Sequence, residues 1–151
     1  MSLSFALLAL CVATASAEDP NDLEDTFEAV LEDLNTKDLE GFLSAWHPQA
    51  VLVTRNYLFA VDRKDAGQEI WDEIFADFFS KTTKVSYTAV DVEYRVVGDV
   101  GMAWGLTQSI FEAPDRPRVS QNSRLTAVFV KSDGNWKIIS WHESAYPETG
   151  R

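Results

Sequence analysis

Cysteine and histidine are scarce in this chain of 151 residues, which contains one cysteine, Cys11, and two histidines. A disulfide within the chain is excluded, because it needs two cysteines. Zinc and other soft metal ions are held mainly by Cys and His ligands, so we predict no metal site. The sequence also has no phosphate-binding loop, nucleophile elbow or dinucleotide fingerprint, and we therefore predict no cofactor.

Basic residues are also few: 13 Lys and Arg stand against 24 Asp and Glu, which gives a formal net charge of −11. This balance repels nucleic acids and anionic membrane surfaces, so we expect neither as a partner. Hydrophobic residues make up 46% of the chain and aromatic residues 12%, which is enough for a folded core. The length suits a single domain.

The N-terminal segment differs from the rest. Residues 1–17 carry no charged side chain, and they contain an apolar run at 5–13 followed by small residues at 15–17. This pattern is typical of a secretory signal peptide and is shorter than the about 20 apolar residues that span a bilayer. We expect cleavage behind the small residues and export of residues 18–151 to the periplasm or the cell exterior. The alternatives are an uncleaved N-terminal extension and a lipoprotein acylated at Cys11. The bulky residue before Cys11 counts against the lipoprotein.

The first half of the exported part has the apolar spacing of helices. Residues 20–35 predict an amphipathic helix, and Asp38 can cap a second, shorter helix that ends at His47. A strand is predicted at 50–53, and a third helix begins at Asp65. The expected apolar side of that helix consists of Ile70, Trp71, Ile74, Phe75, Phe78 and Phe79.

The second half changes to the alternating pattern of strands. Four strands are predicted at 85–97, 101–113, 118–132 and 136–144, joined by short turns. Helices followed by antiparallel strands indicate an α+β fold in which three N-terminal helices pack on a curved, mostly antiparallel sheet. Residues 18–151 should form this one domain, and the curved sheet should enclose a cavity.

The C-terminal part contains motifs that are typical of one family. They are Arg124-Leu125-Thr126, Asp133-Gly134-Asn135-Trp136-Lys137-Ile138 and His142-Glu143-Ser144. On these residues the chain resembles the SnoaL-like domains of the nuclear transport factor 2-like superfamily, and it is similar to the association domain of the calcium/calmodulin-dependent kinases. The resemblance implies a cone with a pocket between helices and sheet, and a homodimer formed through the outer face of the sheet. It leaves the activity open, because the superfamily includes isomerases, dehydratases, cyclases, ligand-binding hubs and subunits without chemistry.

Catalytic residues of the superfamily are poorly matched. Relatives of ketosteroid isomerase carry a carboxylate base on the first strand, but residues 51–55 contain no acid. The His/Asp pair of the dehydratases has no clear counterpart, and His47 is expected to cap a helix. The best candidate for a catalytic group is Glu143, because a carboxylate among apolar side chains can act as acid or base. His142 is the second candidate, and the alternative for Glu143 is a solvated position at the edge of the sheet.

Alternation along the last two strands separates two faces of the sheet. The residues expected to face the helices and the cavity are Leu125, Ala127, Phe129, Ile139, Trp141 and Glu143. The residues expected on the outer face are Arg124, Thr126, Ile138, Ser140, His142 and Ser144. We predict a dimer interface at Arg124, Thr126, His142 and Ser144.

The kinase association domain has cations where this chain has Ala127 and Glu143. This difference favours a neutral or cationic ligand over an anion.

Aromatic residues are predicted to line the pocket, although each of them also suits an ordinary core. They are Trp46, Tyr57, Trp71, Trp104, Phe129 and Trp141. Three functions remain open at this point. The first is an exported, dimeric protein that binds a small apolar or neutral molecule. The others are a cofactor-independent isomerase, dehydratase or cyclase, and an oligomerisation module without chemistry.

Overall fold

The computed structural model describes residues 20–54 and 60–146 of the chain. The predicted signal peptide at 1–17 and the predicted pocket residue Tyr57 lie outside these ranges. The described residues form the helices α1 Pro20–Thr36, α2 Leu39–Ser44, α3 Arg63–Ala66 and α4 Gln68–Lys81, and the strands β1 Trp46–Val53, β2 Val61–Asp62, β3 Lys84–Val97, β4 Val100–Ala113, β5 Arg116–Ser132 and β6 Asn135–Ala145. None of these helices is both long enough and apolar enough to cross a membrane.

Helices α1 and α2 confirm the apolar spacing of the sequence. Leu23, Phe27 and Val30 follow one another at three and four residues and are at most 2% exposed. Lys37, with a φ of 61°, takes the chain out of the helical conformation. Asp38 then caps α2, because its side chain accepts a hydrogen bond from the backbone N–H of Gly41 at 3.0 Å.

The predicted end of the second helix at His47 is wrong, because α2 has ended before strand β1 begins at Trp46. The backbone N–H of Ile138 donates to the carbonyl oxygen of Ala45 at 2.8 Å, so the chain joins the sheet directly after the helix. His47 therefore caps no helix. Its Nδ1 accepts a hydrogen bond from the backbone N–H of Gln49 at 3.1 Å.

The predicted third helix consists of two helices, α3 and α4, which are separated by Gly67 at a φ of 87°. Helix α4 buries Trp71, Phe75 and Phe79, which share one face at a spacing of four residues. Ile70 precedes this stripe by one residue and is 53% exposed, so its predicted place on the apolar side is wrong.

All six strands belong to one sheet, in the order β2-β1-β6-β5-β4-β3. Strands β1 and β6 run parallel, and the other neighbours run antiparallel. Helix α1 packs on strand β3, and helix α2 contacts α1 and α4. The predicted α+β fold, with helices on a curved and mostly antiparallel sheet, is confirmed.

A bulge in β6 changes which residues of this strand face the helices. Pairing with β5 passes from Val128 opposite Ser140 to Phe129 opposite Ile138, which leaves Ile139 as the extra residue. Ile138 is consequently 0% exposed and belongs to the core. The prediction that placed Ile138 on the outer face is wrong, because strict alternation does not hold across a bulge.

Candidate functional site

A cavity of about 800 Å³ lies between helices α2 and α4 and the inner face of the sheet. Its deep wall is made of buried side chains, namely Leu34, Phe42, Trp46, Leu52, Phe75, Tyr87 and Trp141. Its mouth is formed by half-buried and exposed residues of α4 and of the β4–β5 hairpin, among them Ile74, Asp77, Lys81, Glu112, Asp115, Arg116 and Val119. The size matches the pockets in which proteins hold small organic molecules.

Trp141 is the centre of an aromatic wall. Its ring centroid lies 6.2 Å from that of Trp46 and 6.3 Å from that of Tyr87. Trp46 also contacts Phe42 and Phe75, with ring centroids 5.7 and 5.8 Å away. The rings of Trp141, Trp46 and Phe75 support one another and have little freedom to move, so they offer a preformed surface for an apolar ring.

Two of the predicted pocket residues, Trp46 and Trp141, line the cavity. Trp71 and Phe129 are 0% exposed and lie in the core behind the wall. The ring of Trp71 packs edge-on against Trp46 at 5.2 Å, so it supports the cavity without lining it. The predicted lining position of Tyr57 lies outside the residues that the structure describes.

Trp104 lies on the opposite face of the sheet. It pairs with the exposed residues Glu93 and Thr126 in the neighbouring strands, while the next residue, Ala103, points to the buried side and is 0% exposed. The guanidinium of Arg95 covers its ring at 5.4 Å. The predicted place of Trp104 in the cavity is therefore wrong.

Glu143 lines the cavity and is half-buried. It pairs with the buried Leu125, and its Oε1 accepts a hydrogen bond from Nε1 of Trp141 at 3.2 Å. This bond fixes the carboxylate beside the aromatic wall. The placement on the inner face agrees with the alternation of the strand, and a catalytic role for Glu143 stays a prediction.

Tyr87 is a cavity residue that was not predicted from the sequence. Strand β3 is the edge of the sheet, and the side chain of Asn35 satisfies the outward-facing backbone there. The amide of Asn35 donates to the carbonyl oxygen of Tyr87 at 2.9 Å and accepts from its N–H at 2.6 Å. The hydroxyl of Tyr87 and Nε1 of Trp46 are both buried, and neither has a hydrogen-bond partner in the described part of the chain.

A polar band crosses the inner face of the sheet beside Tyr87. Ser109 pairs with Tyr87 on one side and with Gln121 on the other, so the three side chains form one row. Thr107 and Ser123 form the next row, and both are at most 4% exposed. These polar groups therefore line the inner face of the sheet together with Trp46 and Trp141, and the rings of Phe42 and Phe75 come from the helices.

Arg63 supports the cavity from behind. It is 7% exposed, and its Nη1 donates to the carbonyl oxygen of Trp46 at 2.9 Å and to that of His47 at 3.4 Å. Burial lowers the pKa of the guanidinium below its ordinary value, and Asp72 partly offsets the effect. Arg63 thereby holds the start of β1, from which Trp46 enters the wall.

The four residues predicted to form an interface share the outer face of the sheet. Thr126 and His142 are directly opposite each other and exposed, and Arg124 lies directly opposite the half-buried Ser144. The guanidinium of Arg124 lies 5.0 Å above the ring of Tyr146. His142 therefore does not face the cavity and is not suited to act on a molecule bound there.

Metal coordination finds no support among residues 20–54 and 60–146, which contain no group of three or more His, Cys, Asp or Glu side chains able to hold an ion.

A comparison of the sequence with models of protein families identifies the family of the chain. The sequence model of the SnoaL-like domain matches residues 23–148. The chain belongs to the SnoaL-like domain family. A comparison with curated proteins finds no match.

Solved structures of similar proteins agree with this SnoaL-like assignment. A protein from Streptomyces avermitilis, provisionally named a dehydratase of the nuclear transport factor 2-like family, is 20% identical, with a TM-score of 0.74 over 86% of this chain and 98% of that chain. A protein from Xanthomonas campestris, provisionally named a calcium/calmodulin dependent protein kinase II association domain, is also 20% identical, with a TM-score of 0.72 over 89% and 93%. A nuclear transport factor 2-like protein from Cytophaga hutchinsonii is 16% identical, with a TM-score of 0.71 over 85% and 99%. These likenesses confirm the superfamily fold.

Tyr87 could have been found from the sequence of this SnoaL-like domain. Val85, Tyr87 and Ala89 alternate within a predicted strand, and the first of them is an obvious core residue. The same alternation that placed Glu143 on the inner face therefore also applies to Tyr87. The role of Asn35 could not have been found in this way, because its two hydrogen bonds span 52 residues of sequence.

Proposed function

We propose that this SnoaL-like domain binds a small, uncharged and largely apolar molecule in its cavity. The observation that carries the proposal is the aromatic wall around Trp141, which faces about 800 Å³ of space. Burial of apolar ligand surface against such a wall contributes about 25 cal/mol per Å² to binding. The neighbouring rings hold the wall in place before the ligand arrives, so little ordering cost opposes binding.

The charges around the cavity favour a neutral molecule. The residues that line it include four carboxylates, Asp77, Glu112, Asp115 and Glu143, and two cations, Lys81 and Arg116. Lys81 is already paired with Asp77 at 2.6 Å. An anionic ligand would enter a negative field without a free lysine to compensate it, since the whole chain also carries a net charge of −11.

Tetralin, an uncharged two-ring hydrocarbon, is a suitable probe of this proposal. We expect the protein to bind it, with a dissociation constant measured by calorimetry. Ile74→Trp replaces an aliphatic side chain at the cavity by a large ring and should weaken binding at least about 10-fold, because the ring occupies the ligand's volume. Ile70→Trp is the matched control, since Ile70 lies on the same helix but is 53% exposed. Equal affinity of both variants, or no binding by the wild type, contradicts the proposal.

The preference for neutral molecules has its own test. Naphthalene-1-carboxamide and 1-naphthoate have the same shape but differ in charge. We expect the amide to bind about 10-fold more tightly than the carboxylate at low ionic strength, and the difference to shrink in high salt. Tighter binding of the carboxylate would show that a cation such as Arg116 governs recognition.

We also propose that the protein is exported and dimeric. The uncharged segment at 1–17 supports export, and an intact mass that corresponds to residues 18–151 after expression in a secreting host would confirm cleavage. The outer face supports a dimer, because it also carries exposed apolar residues on strands β3 and β4. These residues are Val90, Val97, Val100 and Leu106, with exposures of 46%, 64%, 40% and 37%.

General-base catalysis is the second candidate function, favoured by the presence of the Glu143 carboxylate and the Tyr87 hydroxyl in one cavity. A base beside a bound ketone speeds the exchange of the protons next to its carbonyl group. We expect 1-tetralone in D₂O to take up deuterium faster with the protein than without it. Glu143→Gln should remove this acceleration, whereas Glu93→Gln on the outer face should not. Equal rates with and without protein contradict catalysis and leave binding untouched.

A further inference from the structure

From the polar atoms of the cavity wall, we infer that the ligand is a ring compound with an uncharged oxygen, such as a ketone or an alcohol, which is recognised by Tyr87 and Gln121 on the sheet side. This inference rests on the proposed binding function and makes it more specific. A hydrocarbon would satisfy the aromatic wall alone, whereas an oxygen-bearing ring also supplies a hydrogen-bond partner for the polar groups beside that wall.

The first observation is the unsatisfied state of two buried groups. The Tyr87 hydroxyl and Nε1 of Trp46 have no hydrogen-bond partner among the described residues. Both residues line the cavity and are at most 6% exposed. A buried polar group without a partner is energetically costly, so a ligand that supplies one gains affinity from removing the cost.

The second observation is the position of the two groups. Trp46 and Tyr87 flank Trp141, at 6.2 and 6.3 Å between ring centroids. Nε1 of Trp141 is occupied by Glu143, so this central ring presents mainly its apolar surface. A ring that packs against Trp141 therefore lies next to both residues, and we expect an oxygen at its edge to meet one of their polar groups.

The third observation is the row formed by Tyr87, Ser109 and Gln121 across three strands. Gln121 lines the cavity and is half-buried, so its amide is within reach of a bound molecule. A tyrosine hydroxyl and a glutamine amide can both donate to a ketone oxygen, and both can also accept from an alcohol. Neither carries a charge at neutral pH, and they therefore select a neutral oxygen rather than a carboxylate.

The Tyr87 hydroxyl is sealed from solvent in the arrangement described, and contact with a ligand requires a small side-chain movement. The backbone of Tyr87 does not need to move, because Asn35 holds its N–H and carbonyl groups. The movement is confined to the ring, which pivots about a fixed attachment. The new hydrogen bond compensates for this rearrangement only when the ligand carries an oxygen.

The experiment compares 1-tetralone with tetralin, which differ in one carbonyl oxygen. A net hydrogen bond contributes about 0.5–1.5 kcal/mol, so the wild type should bind the ketone about 2- to 12-fold more tightly than the hydrocarbon. Tyr87→Phe should remove this preference, because it deletes the hydroxyl and keeps the ring. Tyr94→Phe is the matched control, because Tyr94 lies on the same strand and is not a lining residue of this cavity.

The possible results separate the two proposals. If tetralin and 1-tetralone bind the wild type equally, the oxygen requirement is wrong and the binding function stands. If neither molecule binds, the binding function fails as well. If Tyr87→Phe does not fold, Gln121→Leu provides the second test, and it should also reduce the preference for the ketone. A preference that survives in every folded variant means that the oxygen is recognised elsewhere and contradicts the inference.

Discussion

The two faces of the sheet share the same strands but differ in character. On the inner face of β5, Leu125 and Ala127 are at most 2% exposed, while Arg124 and Thr126 on the outer face of the same strand are exposed. The inner face holds a preformed cavity, and the outer face carries charged and hydroxyl groups. Alternation in strands thus separates a candidate ligand site from a candidate surface for association, with only the thickness of the sheet between them.

Two tryptophans illustrate the contrast most directly. Trp141 on the inner face is 5% exposed and touches the rings of Trp46, Tyr87 and Phe27. Trp104 on the outer face is only half-buried and is covered by Arg95. The same residue type therefore contributes to the core on one face and to the surface on the other.

The largest effect is expected when this pair of tryptophans is truncated. Trp141→Ala should lower the free energy of unfolding by about 3–5 kcal/mol, since it leaves a cavity among rings that cannot close around it. Trp104→Ala should cost about 1 kcal/mol or less in the monomer, because much of its surface is already in water. Urea unfolding followed by circular dichroism measures both values.

Comparable losses in the two variants would contradict the distinction between the faces. A large loss of stability for Trp104→Ala that depends on protein concentration would instead mean that Trp104 is buried in a dimer. Measurements at several protein concentrations separate these explanations.

The second effect concerns association through the outer face. Thr126→Glu places a charge at the centre of the predicted interface, where it should cost about 3 kcal/mol of dimer stability if it is buried without a partner. Thr88→Glu is the control, since Thr88 is exposed on the same face but lies on the edge strand β3. Light scattering coupled to gel filtration should show a monomer for the first variant and a dimer for the second. If both variants remain dimeric, the interface lies elsewhere.

The fold and the two faces could largely be predicted from the sequence. Apolar spacing identified the face of α1, and alternation placed Thr126 and Glu143 on opposite sides of the sheet, as the structure has them. These features depend on local geometry, which a sequence states directly. The position of Ile138 could not be predicted, because a bulge shifts the pattern by one residue without a mark in the composition.

The candidate site was predicted less well than the fold. Trp46 was expected on a helix and Trp104 in the cavity, yet Trp46 begins β1 and Trp104 lies outside. A large aromatic residue can face either side of a sheet with little change in local pattern, so its type alone does not determine its place. The support given to Tyr87 by Asn35 depends on a contact between distant parts of the chain, which no periodicity reveals.

The third effect removes that support. Asn35→Ala leaves the N–H and carbonyl groups of Tyr87 without their partner and should cost about 1–2 kcal/mol in urea unfolding. Asn35→Asp keeps an acceptor for the N–H but loses the donor to the carbonyl oxygen. The stability of this variant should therefore lie between that of the wild type and that of Asn35→Ala. If the side chain also positions Tyr87 for its ligand, Asn35→Ala should reduce the preference for 1-tetralone over tetralin. An unchanged preference would limit Asn35 to a role in stability.

The smallest effect is a pH dependence that belongs to the inner face. Burial raises the pKa of Tyr94 to about 12, with smaller contributions from Glu24 and Glu28. The unfolded chain loses this proton near pH 10, so the stabilising contribution is complete below pH 10 and is lost as the pH rises towards 12. Because the group is partly solvated, the change should be slight.

Tyr94→Phe should flatten the decline of stability between pH 10 and pH 12, and Tyr146→Phe should leave it as in the wild type, because Tyr146 is 42% exposed. Chemical unfolding at several pH values measures the decline, and absorbance at 295 nm follows the ionisation of the tyrosines. A slope that is equally steep in both variants would assign the decline to other groups. A slope that is flatter only in Tyr94→Phe would show that the inner face protects a phenol from ionisation, as expected for a side chain packed against Phe27 at 5.9 Å.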